Sequence, residues 1–484
     1  MGKYLKKFNS HAEYNAFTAT TAFILPNVSL CVNEDDLHYN PLVRVSGVTL
    51  DKSELSIKEG DTETLVASIL PYNASNKNIV WSSSDDSIAT VSSNGTVSGV
   101  AFGNADITVT TEDGGYTAQC STSVKSYKVI TYTATAKLPE TTSTDYSAGG
   151  LHVNSFNGTS GQQLTMDSHT FEDGVGTITF NGDIAKFGNN AFFSATTLAS
   201  IDIPDSVTSI GERTFQYCSG LTSIEIPNRV TSIGNVAFHS CGGLTSCTIG
   251  SGVTSIGNNA FYACGLTSIE IPNRVTSIGS GAFQYCSSLT SCTIGSGVTS
   301  IGQGAFESCR SLTSIEIPNR VTSINNNVFR VCTRLTSCTI GSGVTSIGQE
   351  AFNSCSSLTS IEIPNRVTSI GEDAFHSCTS LTSCTIGSGV TSIGKRAFSS
   401  CTGLTTCTIG SGVTSIGQEA FNFCSSLSGI TSNAMAAPTI QNNSFIFVKS
   451  GGVLTVPIGS TGYNTWMQNA NYYLGMYGWT KVEQ

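Results

Sequence analysis

Seventeen cysteines, six histidines and 33 acidic residues are the side chains of this 484-residue chain that could do chemistry, and their spacing decides whether they converge. Fifteen of the cysteines are periodic. Ten, from Cys218 to Cys424, each follow a phenylalanine by three residues, and Cys247, Cys292, Cys338, Cys384 and Cys407 form a second column. A ladder of thiols is raw material for a metal or redox device. The second column argues for something plainer, because Ile224, Ile269, Ile315 and Ile361 stand in the same place in other repeats. Cysteine there serves as a small hydrophobe. The same role is expected of the first column, and parallel stacked side chains rarely present the dihedral a disulfide needs. The solenoid thiols are therefore expected to be buried and reduced.

The other reactive groups do not converge either. His239 and His376 recur in one column six repeats apart, on the order of 30 Å if repeats stack like strands, too far to share a metal. His11, His38, His152 and His169 lack zinc-site spacing and read as exposed structural histidines. The run Asn33, Glu34, Asp35, Asp36 has the oxygen donors of a calcium site, but a solvated turn is the preferred reading. Glu225, Glu270, Glu316 and Glu362 are each followed four residues later by Arg229, Arg274, Arg320 or Arg366. They form either a charged binding array or, as favoured, exposed ion pairs of small energetic weight. Catalysis needs a nucleophile, a base and stabilising donors in one concavity. None is expected here, so no enzyme activity, cofactor or metal is expected.

Composition narrows the class further. Only 12% of residues are charged and Gly is abundant, at 49 residues, which suits β-rich surfaces with polar turns. A net charge of −10 disfavours nucleic acid, which needs a basic face. No stretch approaches the roughly 20 apolar residues of a membrane helix, so the chain is expected to be soluble, without membrane insertion. The opening MGKYLKKFNSHAEYNAF has no apolar core or cleavage site and does not read as a secretion signal.

The elements that position these groups repeat. An Ala-Phe or equivalent pair ends at Phe192, Phe215, Phe238, Phe261, Phe283, Phe306, Phe329, Phe352, Phe375, Phe398 and Phe421, in steps of 23 residues with one of 22. The short step falls at Cys264–Leu266, and a strand ladder continuous through it is expected because Leu266, Ile269 and Ile271 keep their spacing. SIEIPNRV alternates with SCTIGSGV, so the true period is near 46. L-x-x-I-x-I, as at Leu221, Ile224 and Ile226, is the spacing of a solenoid strand that only a stacked neighbour can bury. The fold class expected is mainly β: a leucine-rich-repeat solenoid of about eleven 23-residue coils, preceded by an Ig-like β-sandwich and a small N-terminal α+β unit.

The repeated AFxxCxxLTSIxIPxxVTSIG resembles the BspA-like, or treponemal-type, leucine-rich repeats of surface proteins from anaerobic and mucosal bacteria, over about residues 127–484. The aromatic tail LTVPIGSTGYNTWMQNANYYLGMYGWTKVE is similar to the terminal segment of such proteins and is expected to cap the last coil. Residues 45–125, with W-S-S-S-D, I-A-T-V and G-x-V-x-G-V motifs, resemble group 2 bacterial Ig-like domains. That resemblance implies an inter-sheet core role for Trp81, a structural turn at Asp85 and Asp86, and a spacer or adhesive function also found in phage virion proteins. Ser10–Glu13 fits a helix capping box, and NVSLCV and LHYN flank a hairpin turn. This N-terminal segment is similar to those of structural proteins from gut Bacteroidetes phages and prophages. The expected division is an anchoring segment 1–44, the Ig-like domain 45–125, an N-terminal cap 126–186, repeats 187–430 and a C-terminal cap 431–484.

The resemblance implies a surface recognition or adhesion protein, extracellular or on the cell surface, binding a host or microbial surface protein or glycan. The alternative is a phage virion head or tail fibre, favoured by the lack of a secretion signal. Either could dock to an envelope or particle through residues 1–44. Within the repeats the exposed strand positions are nearly uniform, whereas those after each Phe vary. They read Gln216 and Tyr217, His239, Tyr262, Gln284 and Tyr285, Glu307, Arg330, Asn353, His376, Ser399, Asn422 and Phe423. Tyr and Arg are favoured at the energetic centres of interfaces. A partner is therefore expected on this edge over the first four coils, at Gln216, Tyr217, His239, Tyr262, Gln284 and Tyr285.

Overall fold

The computed structural model describes residues 29–30, 39–40, 42–126, 128–142, 149–158 and 161–484. The chain divides into two compact units, Met1–Ser126 and Tyr127–Gln484. Ahead of residue 42, Ser29–Leu30 pairs antiparallel with Tyr39–Asn40, the hairpin that the flanking sequences lead one to expect. The capping box at Ser10–Glu13, His11, His38 and the acidic turn Asn33–Asp36 lie outside the described residues, as does most of the expected α+β unit.

Residues 47–125 build a β-sandwich. Glu54–Lys58, Thr117–Lys125, Gly103–Thr111 and Ile79–Ser83 make a four-stranded sheet in that order. Strict alternation puts Ala105, Ile107 and Val109 inward. Ala105 and Ile107 pack with Leu55, Leu65, Val97, Cys120 and Val124. Trp81 lies against this core from its margin, half-buried, rather than at its centre. Asp85 closes the expected structural turn: its Oδ1 accepts Ser87 N–H at 2.9 Å and Ser87 O–H at 2.6 Å.

The second unit is a β-solenoid of about 13 turns of about 23 residues. It runs beyond the eleven Phe-marked coils because the Ala-Phe signature lapses after Phe421, while the strands Gly429–Ser432, Val453–Val456 and Thr480–Glu483 continue the stack. Each coil holds a long strand such as Ser223–Ile226, exposed and buried by turns, and a short one such as Ser232–Ile233. The inward Phe rings form one column from Phe192 to Phe445, adjacent centroids 5.0–5.7 Å apart. Among the described residues there is no α-helix.

The 46-residue alternation has a structural meaning. A long strand with a proline turn pairs completely with the glycine-turn strand after it: Ser223–Ile226 with Ser246–Ile249, Ser268–Ile271 with Ser291–Ile294, and Ser360–Ile363 with Ser383–Ile386. From a glycine-turn strand to the next proline-turn strand the ladder is broken after Ile249 and after Thr339, and shrinks to Ser291 and Ser314 in between. A Cβ at Gly252, Gly297, Gly343 or Gly389 would overlap the backbone oxygen of Asn228, Asn273, Asn319 or Asn365, so the glycine turn settles closely onto the proline turn. In the opposite step Arg274, Arg320 or Arg366 brings a Cβ to that place, and Pro272, Pro318 or Pro364 has no N–H to donate. The expectation of a continuous long-strand ladder at Cys264–Leu266 is thus corrected. The break there recurs where nothing is deleted, and the short strands still pair at Ile256 and Ile278. The short-strand ladder has its own break before Ser323–Ile324. There Asn325 replaces the usual glycine, and its side-chain amide, not a backbone N–H, donates to Ile301 O at 2.7 Å.

Antiparallel strands close the start of the solenoid, Val129–Ala134 on Leu198–Ile201 and Phe156–Gly158 on Ile184–Phe187. At the other end Trp466 covers Phe445 and donates to Pro438 O, and Trp479 donates to Lys449 O.

Candidate functional site

The edge that carries the variable positions is made by a turn that reverses the chain twice in five residues. The residue two before each inward Phe and the residue two after it both take positive φ, for example Arg213 at 57° and Tyr217 at 64° around Phe215. Left-handed backbone costs most residues about 1–2 kcal/mol. Here it turns N–H groups along the stack: Tyr217 N–H donates to His239 O at 2.9 Å and Tyr285 N–H to Glu307 O at 2.9 Å. Hydrogen bonding between coils therefore fixes where the outward side chains stand.

Five aromatic side chains in successive coils touch. Phe193 meets Tyr217 edge-on at 5.7 Å, and Tyr217 meets His239 at 5.7 Å and 80°. His239 stacks flat on Tyr262 at 4.5 Å and 3°, and Tyr262 meets Tyr285 at 5.3 Å and 68°. Tyr217 and Tyr285 are 43% and 45% exposed, so each stands out on one side of the flat pair. Burial holds the His239 pKa below its ordinary value. Burial also raises that of Tyr262, helped by Tyr285 and Glu307. The tract is therefore an uncharged set of ring edges with phenol and imidazole hydrogen-bonding groups. Gln216, expected to be exposed, is buried beneath it. Gln284 is half-buried, its amide donating to Glu307 Oε2 at 2.8 Å.

Beyond Tyr285 the edge changes from rings to charges. Glu307 is buried rather than presented, and Arg330 bridges it at 2.8 Å to Glu350 at 2.8 Å. Farther on, Arg396 joins Asp373 at 2.6 Å and Glu372 at 3.1 Å. A four-residue spacing along the sequence does not reveal these networks. In an extended strand and turn, such residues stand on the order of 10 Å apart, whereas the same column one coil on is about 5 Å away. The expected Glu225–Arg229 type of pair is corrected accordingly: among the described residues none of the four lies within 4.0 Å.

The thiols lie where a hydrophobe would, with one addition. All sixteen described cysteines are free, and all but half-buried Cys338 are buried. Burial pushes the Cys247 thiol up to about 12. Each first-column thiol also donates to the carbonyl of the Phe one coil back, from Cys218 to Phe192 O at 3.0 Å through Cys424 to Phe398 O at 3.2 Å. Valine or alanine could not make that contact.

Two histidines are not exposed as expected. His152 is buried, and the His169 side chain is 1% exposed. His169 is bonded to Tyr132 Oη at 2.6 Å and to Glu140 Oε1 at 2.7 Å, with Lys137 at 3.2 Å from the same carboxylate. Tyr132 is itself buried at the inner end of this chain of groups, while the Glu140 side chain is 38% exposed at its outer end. His239 and His376 remain apart, and His376 keeps to Asp373 at 3.9 Å. Among the described residues no group of three or more His, Cys, Asp or Glu is placed to hold a metal.

Comparison with known proteins places this architecture. A profile described as BspA type Leucine rich repeat region matches residues 154–266, 254–359 and 345–462, and one described as Bacterial Ig-like domain (group 2) matches 44–122. Among curated proteins, an alpha-L-arabinofuranosidase of Bifidobacterium longum is 42% identical over 90 residues, 19% of this chain and 8% of that enzyme. That match lies in the Ig-like segment. An Ig-like virion protein of Serratia phage KSP90 is 40% identical over 84 residues, 17% of this chain and 33% of that protein. Among solved structures, a leucine-rich repeat protein of Bacteroides ovatus is 26% identical, with TM-score 0.43 over 65% of this chain and 90% of that one. A leucine rich cell surface protein of Faecalibacterium prausnitzii is 28% identical, with TM-score 0.33 over 55% of this chain and 86% of that one. The repeat matches span more than half of the sequence, and the chain belongs to the BspA-type leucine-rich-repeat family, with a group 2 bacterial Ig-like domain ahead of its repeats.

Proposed function

We propose that the chain is a non-catalytic recognition protein of the bacterial surface that binds a host or microbial surface protein or glycan along the aromatic edge of its solenoid. The observation that carries this reading is the continuous ring tract Tyr217, His239, Tyr262 and Tyr285. Its rings pack one on another over a backbone fixed by hydrogen bonding between coils, so binding costs little side-chain ordering. Membership of a family of surface leucine-rich-repeat proteins supports the location. No helix among the described residues is long and apolar enough to cross a membrane. The test is a joint Tyr217→Ala, Tyr262→Ala, Tyr285→Ala variant beside a joint Glu225→Ala, Glu270→Ala, Glu316→Ala variant, both measured for binding to mucosal cells and glycan arrays. The ring variant is expected to bind at least about tenfold more weakly, the loss of one strong interface anchor. Loss only in the glutamate variant would move the site to the strand face. No loss in either would move it to the Ig-like domain or residues 1–44.

A second reading, a component of a phage particle, is favoured by the identity to an Ig-like virion protein. Mass spectrometry of purified virions and of cell-envelope fractions separates the two by where the protein is found.

A further inference from the structure

Six charged side chains along the edge of the solenoid pair within the chain, but those on the long strands and in the proline turns after them do not. Glu225, Glu270, Glu316 and Glu362 are exposed on long strands, and Arg229, Arg274, Arg320 and Arg366 are exposed in the proline turns that follow. Among the described residues none of these eight has an ion-pair partner within 4.0 Å. Glu307, Arg330, Glu350, Glu372, Asp373 and Arg396, on the same solenoid, all do. The register sets each glutamate beside a threonine of the next coil, Glu225 by Thr248, Glu270 by Thr293, Glu316 by Thr339 and Glu362 by Thr385. The carboxylates therefore recur every second coil, about 10 Å apart at strand spacing. The arginines recur in the same coils, so the two rows share one pitch.

Two parallel rows of opposite sign, equal in number and pitch, form a self-complementary pattern. A twofold axis along the strands would set glutamate on glutamate. A twofold axis parallel to the solenoid axis instead reverses the strand direction and exchanges the rows. Every glutamate then faces an arginine of the other copy, in the isologous arrangement of a closed dimer. We propose that the strand face docks a second copy of this chain in this way, through up to eight reciprocal Glu–Arg pairs. A second copy fits better than an unrelated acidic or basic partner, because either of those would satisfy one row and oppose the other. Each exposed pair is weak alone, so the association depends on their number and is screened by salt. It is independent of the ring tract, which lies on another edge of the coil.

The test is sedimentation of the full chain at low ionic strength and at about 1 M salt, where screening acts within a few ångströms. Dimers are expected at low salt, with association weakened at least tenfold at high salt. Two variants decide the surface: one with Glu225→Arg, Glu270→Arg, Glu316→Arg and Glu362→Arg, the other with Arg229→Glu, Arg274→Glu, Arg320→Glu and Arg366→Glu. Each is expected to be monomeric alone and to form a one-to-one dimer when mixed with the other, a rescue that a misfolded chain could not give. The four Glu→Gln changes, which keep shape and remove charge, should also abolish the dimer. A monomeric parent at low salt would overturn the proposal. So would self-association persisting in either swapped variant, or failure of the folded variants to pair.

Discussion

His169 shows how one residue couples the start of the solenoid to pH. Tyr132 O–H donates to Nε2, so the Nδ1–H faces Glu140, and Lys137 closes on the same carboxylate. Burial is the larger effect on His169 and lowers its pKa, with the Glu140 bond opposing it. For Glu140, burial raises the pKa, but the bonds from His169 and Lys137 outweigh it and the carboxyl sits below its ordinary value. Unfolded histidine takes up a proton near pH 6.5, while folded His169 resists until lower pH. Its contribution is complete above about pH 6.5 and declines as pH falls; that of Glu140 is present above about pH 4.5 and declines below it. Thermal unfolding of the solenoid should therefore show a midpoint that drops on acidification from about pH 7.5 to 5. His169→Phe should flatten that slope and cost about 1–3 kcal/mol at neutral pH, because Tyr132 loses its acceptor. An unchanged slope in the variant would assign the pH response elsewhere. The sequence offered no hint of this contact, since Tyr132, Glu140 and His169 meet only when three separate segments fold together.

At the scale of the element, the alternation of proline and glycine turns decides how coils seat. Gly297 has no room for a Cβ against Asn273 O, a rigid backbone atom, whereas Gly242 has nothing within 4 Å. Gly297→Ala should destabilise the protein by roughly 1–3 kcal/mol as an overpacked site. Gly242→Ala should be neutral or slightly stabilising, through the smaller freedom of the unfolded chain. Urea unfolding of the two variants checks this, and equal stabilities would remove the close seating as the reason for glycine. The period of 46 was legible in the residues SIEIPNRV and SCTIGSGV. That the ladder would break or thin at the step from a glycine turn to a proline turn was not, because this depends on which atoms of one turn face the turn beneath.

For the solenoid as a whole, stability rests on an uninterrupted core, and its ends need cover. Phe445 ends the ring column and is closed by Trp466, which is 1% exposed, at 5.5 Å, while Tyr463 O–H donates to Ala434 O at 2.8 Å. Trp466→Ala should cost about 3–5 kcal/mol. It should loosen the last coils before the rest, since repeat units contact mainly their neighbours. Hydrogen exchange resolved along the chain should show faster exchange confined to the strands after Thr406. Uniform loss of protection would mean that the solenoid unfolds as one unit and that the cap acts globally.

The family, the Ig-like domain, the coil period and the inward columns of Phe, Leu, Ile and Cys are all legible in the residues alone, because each depends on short-range periodicity and on motifs read within a few residues. So is the ring edge, since Tyr217, His239, Tyr262 and Tyr285 vary where neighbouring columns do not. Which of these groups are presented and which are buried follows from the stacking of the coils. Gln216 and Glu307 went inside, Arg330 was tied to two acids, and Glu225 and Arg229 were left apart. The reason is geometric: stacking makes residues about 23 apart into nearest neighbours, while residues four apart in an extended turn lie out of reach.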